Sequence, residues 1–175
     1  MTDYTSRLAA LRAQCAALGY QGFLVPMADE YQSEYVPASA RRIEFLSGFT
    51  GSSGFIAVLK DKAAFFTDGR YTLQAATQVP AELFTIHDSA AKLPADWLAE
   101  NLGTGAKLAY DPWLHTDDGV TRLKKALTKC GAELVPVDRN LVDAIWTDRP
   151  APPTEPIHVH EFIYTGKSSA DKRAD

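Results

Sequence analysis

Four consecutive residues, Ala63-Ala64-Phe65-Phe66, are apolar, with no polar side chain alternating among them. A strand with one face in water alternates apolar and polar residues; a strand that does not alternate is covered on both faces. The flanking sequence supplies the partners. Residues 54–59 and 62–67 read as two strands joined at Lys60-Asp61, a hairpin. Before them, residues 3–18 carry Leu8, Leu11, Cys15 and Leu18 at helical spacing, and Gly19 is placed to end that helix in a left-handed conformation. Residues 22–25 form a short buried strand stopped by Pro26, residues 28–37 a loop, and residues 41–46 a short helix with Ser39 as its N-cap.

The alternation continues. Residues 69–79 read as a helix ended before Pro80, 82–87 as a strand, 94–102 as a helix and 107–110 as a strand. Thr116 or Asp117 caps the next helix, which ends at Gly131 and carries the stripe Val120, Leu123, Leu127 and Cys130. A strand over 133–137 and a helix over 141–146 complete the series. Strands alternating with helices predict an α/β domain with a mixed sheet of about five or six strands flanked by helices. Pro150, Pro152, Pro153 and Pro156 fall within seven residues, which marks a linker. The expected division is a domain over 1–149, a proline-rich linker over 150–163, and the start of a second, truncated domain over 164–175.

Composition limits the function. The formal net charge is −4 and no basic stripe runs along the chain, which argues against a nucleic-acid partner. Lys124-Lys125 is the longest lysine run and lies on a helix face exposed to solvent. No apolar stretch approaches the roughly 18 residues needed to span a bilayer, and residues 1–12 lack the apolar core of a secretory signal. Two cysteines, Cys15 and Cys130, cannot build a disulfide framework, and both sit on apolar helical stripes as small fillers. Together these features predict a cytoplasmic protein.

Recognisable catalytic patterns are scarce. The histidines are His87, His115, His158 and His160, and none belongs to an HExxH pattern. His158 and His160 alternate along an extended segment, but nothing nearby supplies further ligands, so no metal ligand is assigned. Gly166-Lys167-Ser168 has Glu161 where a phosphate-binding loop needs glycine. Gly51-Ser52-Ser53-Gly54 reads as a turn before a strand rather than an anion cradle. Asp117-Asp118 answers the dipole of a helix start.

One segment resists a purely structural reading. Thr67-Asp68-Gly69-Arg70-Tyr71 follows the buried strand, at the kind of strand end where α/β domains place functional groups. On this reading Asp68 caps the helix, Gly69 lets the backbone turn, and Arg70 projects from the first helical turn, where a cation is mildly disfavoured. The structural alternative is a surface arginine paired with Asp68 or a nearby glutamate.

That segment belongs to a larger set of strings. Gln32-Ser33-Glu34-Tyr35, Arg41-Arg42, Ser47-Gly48-Phe49-Thr50-Gly51-Ser52-Ser53-Gly54 and Thr67-Asp68-Gly69-Arg70-Tyr71 with Gln74-Ala75-Ala76 together resemble the N-terminal domain of three-domain Xaa-Pro aminopeptidases. Asn140-Leu141-Val142-Asp143 and Ile145-Trp146-Thr147-Asp148-Arg149-Pro150 resemble the end of that domain, and Tyr164-Thr165-Gly166 with Asp171-Lys172 the start of the next. The resemblance implies a creatinase-like N-terminal fold. It also implies that the intact enzyme, a homodimer, releases the residue preceding proline from Xaa-Pro peptides. Two manganese ions in a later domain would perform that chemistry, so this chain would hold no catalytic residue and no cofactor. It further implies that Arg70, with Asp68, Tyr71, Gln32 and Tyr35, lines the substrate cleft. The alternatives are a creatinase or prolidase relative, and a peptidase-like module without activity such as the one in a histone chaperone.

Overall fold

The computed structural model describes residues 3–175. Six strands form one mixed sheet: β1 (Gly22–Pro26), β2 (Phe55–Leu59), β3 (Ala63–Thr67), β4 (Thr85–Asp88), β5 (Lys107–Tyr110) and β6 (Glu133–Pro136), in the order β4-β3-β2-β1-β5-β6. The hairpin partner β2 runs antiparallel to both β1 and β3, while β3–β4, β1–β5 and β5–β6 are parallel pairs. Helices α1 (Tyr4–Ala17), α2 (Arg42–Ser47), α3 (Thr72–Gln78) and α6 (Leu141–Ile145) cover one face, and α4 (Pro94–Asn101) and α5 (Asp117–Thr128) the other.

The pleat sorts the apolar run as the covered-strand reading predicts. Ala63 and Phe65 point into the core under α1 and α2; Ala64 and Phe66 point into the core under α4 and α5. All five residues of β3 are buried. The neighbouring strands follow suit, with Ile56 and Val58 on the first face and Ala57 and Leu59 on the second. Burying each large aliphatic or aromatic side chain contributes about 1.5–3 kcal/mol, so the two-sided core is the main source of stability. Gly19 adopts φ 76°, as a helix-ending glycine should, and Thr116 caps α5 by accepting from the Gly119 N–H.

Several boundaries differ from the sequence reading, each for a local reason. Leu18 is 54% exposed, because α1 ends at Ala17 and the apolar stripe ends with Cys15. Ser39 caps nothing: it lies in a 3-10 turn over Ala38–Ala40, and α2 starts at Arg42 without a side-chain cap. Residues 69–71 precede α3 instead of forming its first turn, since Asp68 draws the Arg70 N–H onto its own carboxylate at 3.0 Å. Residues 82–84 turn back on Pro80, whose carbonyl accepts from the N–H groups of Leu83 and Phe84, so β4 begins only at Thr85. Cys130 falls beyond the last turn of α5 and is half-buried. Residues 150–161 are exposed and extended, followed by α7 (Phe162–Thr165) and α8 (Ser169–Ala174). Ser168 caps α8 by accepting from the Asp171 N–H. Among the described residues, no helix is long and apolar enough to cross a membrane.

Candidate functional site

Strand direction decides which loops meet. Because β2 is antiparallel to β1 and β3, its start lies beside their ends, with Phe55 opposite both Pro26 and Phe66. The parallel pairs bring the ends of β4, β5 and β6 to the same edge. One end of the sheet therefore collects loop 27–41 after β1, loop 48–54 before β2, residues 68–71 after β3 and residues 111–116 after β5. All five predicted site residues, Gln32, Tyr35, Asp68, Arg70 and Tyr71, lie on these segments.

Residues 48–54 and 68–71 form a joined rim. Thr67 Oγ1 donates to the Ser53 carbonyl at 2.6 Å, and Ser52 Oγ lies 2.8 Å from the Tyr71 hydroxyl. The Tyr71 ring meets Phe49 edge-on, with centroids 5.8 Å apart. Gly51 sits where the two segments press closest: a Cβ there would lie 2.4 Å from Phe49 Cζ and 2.7 Å from Tyr71 Cδ1. Only glycine permits that approach. Thr50 is tied to α3 by accepting from Gln74 Nε2 at 3.1 Å, while its N–H donates to Gln78 Oε1 at 3.0 Å. The glycine-and-serine stretch is thus a turn locked to its neighbours, as its composition predicts.

Asp68 and Arg70 form the charged part of the rim. Arg70 Nε and Nη2 donate to Asp68 Oδ1 and Oδ2 at 2.9 and 2.8 Å, and the Arg70 backbone N–H adds a third bond to Oδ1. The guanidinium carbon lies 5.2 Å from the Tyr71 ring centroid. These hydrogen bonds from Arg70 hold the Asp68 carboxyl far below the usual carboxylate range, and Asp68 in turn raises the Arg70 pKa, with Glu34 a smaller contributor. A guanidinium has five N–H donors, and Asp68 takes two of them. The rest face solvent on a side chain 66% exposed. Arg70 is therefore both paired with Asp68, as the structural alternative has it, and open to a further acceptor.

Loop 27–37 contributes unevenly. Buried Asp29 organises it by accepting from the N–H groups of Tyr31 and Ser33 at 3.0 and 2.9 Å. Gln32 then takes φ 55°, the one non-glycine residue with positive φ among those described. Tyr35 and Glu34 line a cleft of about 120 Å³ with Met27, Phe49, Gly51 and Ser52, which brings Tyr35 to the rim. Gln32 faces away, into a separate hollow bounded by Pro26, Leu114 and His115. Asp68, Arg70, Tyr71 and Tyr35 thus share one rim, and Gln32 does not join them. Ser52 and Glu34 also belong to it, and both lie inside the strings that carry the family resemblance.

The donor set for a metal is absent from this rim. Among the described residues no three histidines, cysteines, aspartates or glutamates are grouped to hold an ion. His158 and His160 lie on the exposed extended segment. His87 and His115 are packed in aromatic surroundings and each buries an Nε2 without a partner. Burial lowers the pKa of both, that of His115 to about 4.

Comparison with known proteins places this geometry. The pattern of the Creatinase/Prolidase N-terminal domain matches residues 7–145. "Probable Xaa-Pro aminopeptidase P" of Ajellomyces capsulatus (strain NAm1 / WU24) is 39% identical over 176 residues, covering 99% of this chain and 28% of its own length. Aminopeptidase P2 of Arabidopsis thaliana is 38% identical, over 89% of this chain and 22% of its own. The crystal structure of X-prolyl aminopeptidase from Caenorhabditis elegans, a cytosolic enzyme with a di-nuclear active site, superposes with a TM-score of 0.85 at 32% identity, covering 98% of this chain and 30% of that one. The N-terminal domain of the cytoplasmic peptidase PepQ from Mycobacterium tuberculosis H37Rv superposes with a TM-score of 0.61 at 31% identity, over 80% of this chain and 98% of that domain. The chain spans less than a third of the length of the curated relatives it matches.

Proposed function

The chain belongs to the creatinase/prolidase N-terminal domain family, and from that premise we propose that it is the non-catalytic wall of a metal-dependent Xaa-Pro aminopeptidase. A domain that follows it would perform the hydrolysis. The observation that carries this reading is the rim of Asp68, Arg70, Tyr71, Ser52 and Tyr35, which offers hydrogen-bond donors and aromatic faces but no grouped metal ligands. Such a surface is suited to orienting a peptide. The Ajellomyces and Caenorhabditis relatives, both named as Xaa-Pro or X-prolyl aminopeptidases, support peptides with proline in second position as the substrate class.

The roles divide by chemistry. Asp68 fixes the Arg70 fork in one plane. The free guanidinium N–H groups then meet a backbone carbonyl or terminal carboxylate of the bound peptide, a match that arginine's planar donors make better than a lysine would. Tyr71, held by Ser52, and the 83% exposed Tyr35 present aromatic faces to the peptide. Among the described residues no side chains are grouped to hold a di-nuclear centre, and no step of the wall's action passes through one. Under the same reading the complete enzyme is a cytosolic homodimer whose two manganese ions are bound outside this chain.

A direct test compares this chain alone with the chain joined to a family metal-binding domain, on Xaa-Pro tripeptides and longer Xaa-Pro peptides. The joined protein should release the first residue, and the chain alone should release none. Turnover by this chain alone, in the presence of a metal chelator, would contradict the division of labour.

A further inference from the structure

Arg42 is buried to 2% exposure on α2. A buried guanidinium is costly unless its donors are matched. Its Nε and Nη2 donate to Asp143 Oδ1 and Oδ2 at 2.7 and 2.9 Å, joining α2 to α6 across 101 residues of sequence. Asp143 Oδ2 also accepts from Arg149 Nη1 at 2.7 Å, and Arg149 Nε donates to the Ser39 carbonyl at 2.7 Å. Glu30, on the loop that carries Tyr35, lies 3.9 Å from Arg42 Nη2. The turn and α6 therefore both bind Arg149, the residue immediately before the first linker proline, and α2 joins the same network through Asp143.

The Arg42–Asp143 pair alone would join α2 to α6. Arg149 reaches that joint from beyond α6, through the shared Asp143 Oδ2, on a side chain 29% exposed. What Arg149 does hold is the chain's exit. Past it, residues 150–161 are exposed, and Pro152 and Pro153 stand across a hollow of about 570 Å³ from Tyr31, Tyr35 and Pro37.

We infer that Asp143 is the hub of a latch that sets the direction in which the chain leaves the domain, with Arg149 as the positioning residue. Proline-rich segments are stiff, at about 3.1 Å per residue. The seven residues from Pro150 to Pro156 reach about 22 Å, so a change of about 20° at Arg149 displaces Pro156 by about 8 Å. A loose root would scatter whatever follows, whereas a latched root presents it at one angle to the Asp68–Tyr71 rim. The latch stands independently of the hydrolase reading, because it concerns only where the chain is sent.

The test uses residues 1–175 with spin labels at Ala76→Cys on α3 and Val159→Cys at the far end of the linker, with Cys15 and Cys130 replaced by alanine. Double electron–electron resonance reads the distance distribution between them. Arg149→Ala should at least double its width while Tm moves by less than about 3 °C, and Arg149→Lys, which keeps the charge and loses the fork, should give an intermediate width. Asp143→Ala should broaden the distribution and lower Tm as well, because it also strands Arg42. An unchanged width in Arg149→Ala would overturn the latch. So would a Tm loss in Arg149→Ala equal to that of Asp143→Ala, which would make Arg149 a core residue instead.

Discussion

The carboxylate of Asp68 holds the guanidinium of Arg70 through two parallel hydrogen bonds, 2.9 and 2.8 Å long, across a single intervening glycine. The pair is built from neighbouring residues and so costs the fold little to assemble. It aims one edge of the guanidinium at Asp68 and leaves the other edge outward.

The first expectation concerns that aim. In Asp68→Asn the carboxylate charge is gone and only one strong acceptor remains, so the Arg70 Nε–H should lose protection. Exchange of that proton with water, followed by NMR, should quicken by about tenfold, while the overall fold is kept because both side chains lie at the surface. An unchanged exchange rate would show that Asp68 does not hold the fork.

The two-sided core makes a stability prediction. Phe65 is fully buried on β3, with its ring 4.8 Å from that of Phe49. Phe65→Ala should cost about 3–5 kcal/mol by urea unfolding. Leu73 is 85% exposed on α3, and Leu73→Ala should change stability by less than about 0.5 kcal/mol.

Acid should weaken the fold through His115. Burial takes its pKa from the ordinary 6.5 down to about 4, against the opposing charge of Asp111. Between those values the unfolded chain binds a proton that the native state refuses, so stability is complete above pH 6.5 and falls as pH drops toward 4. At pH 5 this amounts to at most about 2 kcal/mol. His87, whose pKa is also lowered by burial, acts in the same direction. His115→Phe keeps the aromatic contacts with Phe55 and Tyr110 and should shrink the loss of Tm between pH 7 and pH 5. An equal loss in the variant would remove His115 from the account.

The two thiols should react unequally. Cys15 is buried in the core under α1, and burial pushes its pKa up to about 11. Cys130 is half-buried past the end of α5. Iodoacetamide at pH 8 should modify Cys130 well before Cys15, with Cys15 labelled only on unfolding, as mass spectrometry of the digested protein would show.

Local chemistry made most of the architecture legible in advance. The unalternating run Ala63 to Phe66, the two-residue hairpin and Gly19 each have one physical reading, and the α/β class follows from the alternation of strands with helices. Thr116 and Asp117 left one position of doubt at the start of α5, which the bond to the Gly119 N–H settles for Thr116. The misreadings arose where a side chain outcompeted a backbone pattern. The sequence pattern makes Asp68 the cap of α3, but in the structure Asp68 binds Arg70 and the helix begins only at Thr72. Ser39 matched a cap by type, yet its carbonyl, not its hydroxyl, carries the interaction, through Arg149. No local pattern could reveal the bond from Arg42 to Asp143, because 101 residues separate the two. The placement of Tyr35 on the rim and of Gln32 off it depended likewise on the turn that Asp29 imposes on loop 27–37.

The central claim is that Arg70 serves a reaction carried out elsewhere. Its most direct test is steady-state kinetics on Xaa-Pro peptides for this domain joined to a family metal-binding domain, comparing the unaltered protein with Arg70→Ala and Arg70→Lys. The account predicts that kcat/KM falls by about tenfold or more in Arg70→Ala, with partial recovery in Arg70→Lys and an unchanged metal content. A kcat/KM equal to that of the unaltered enzyme in both variants would contradict it.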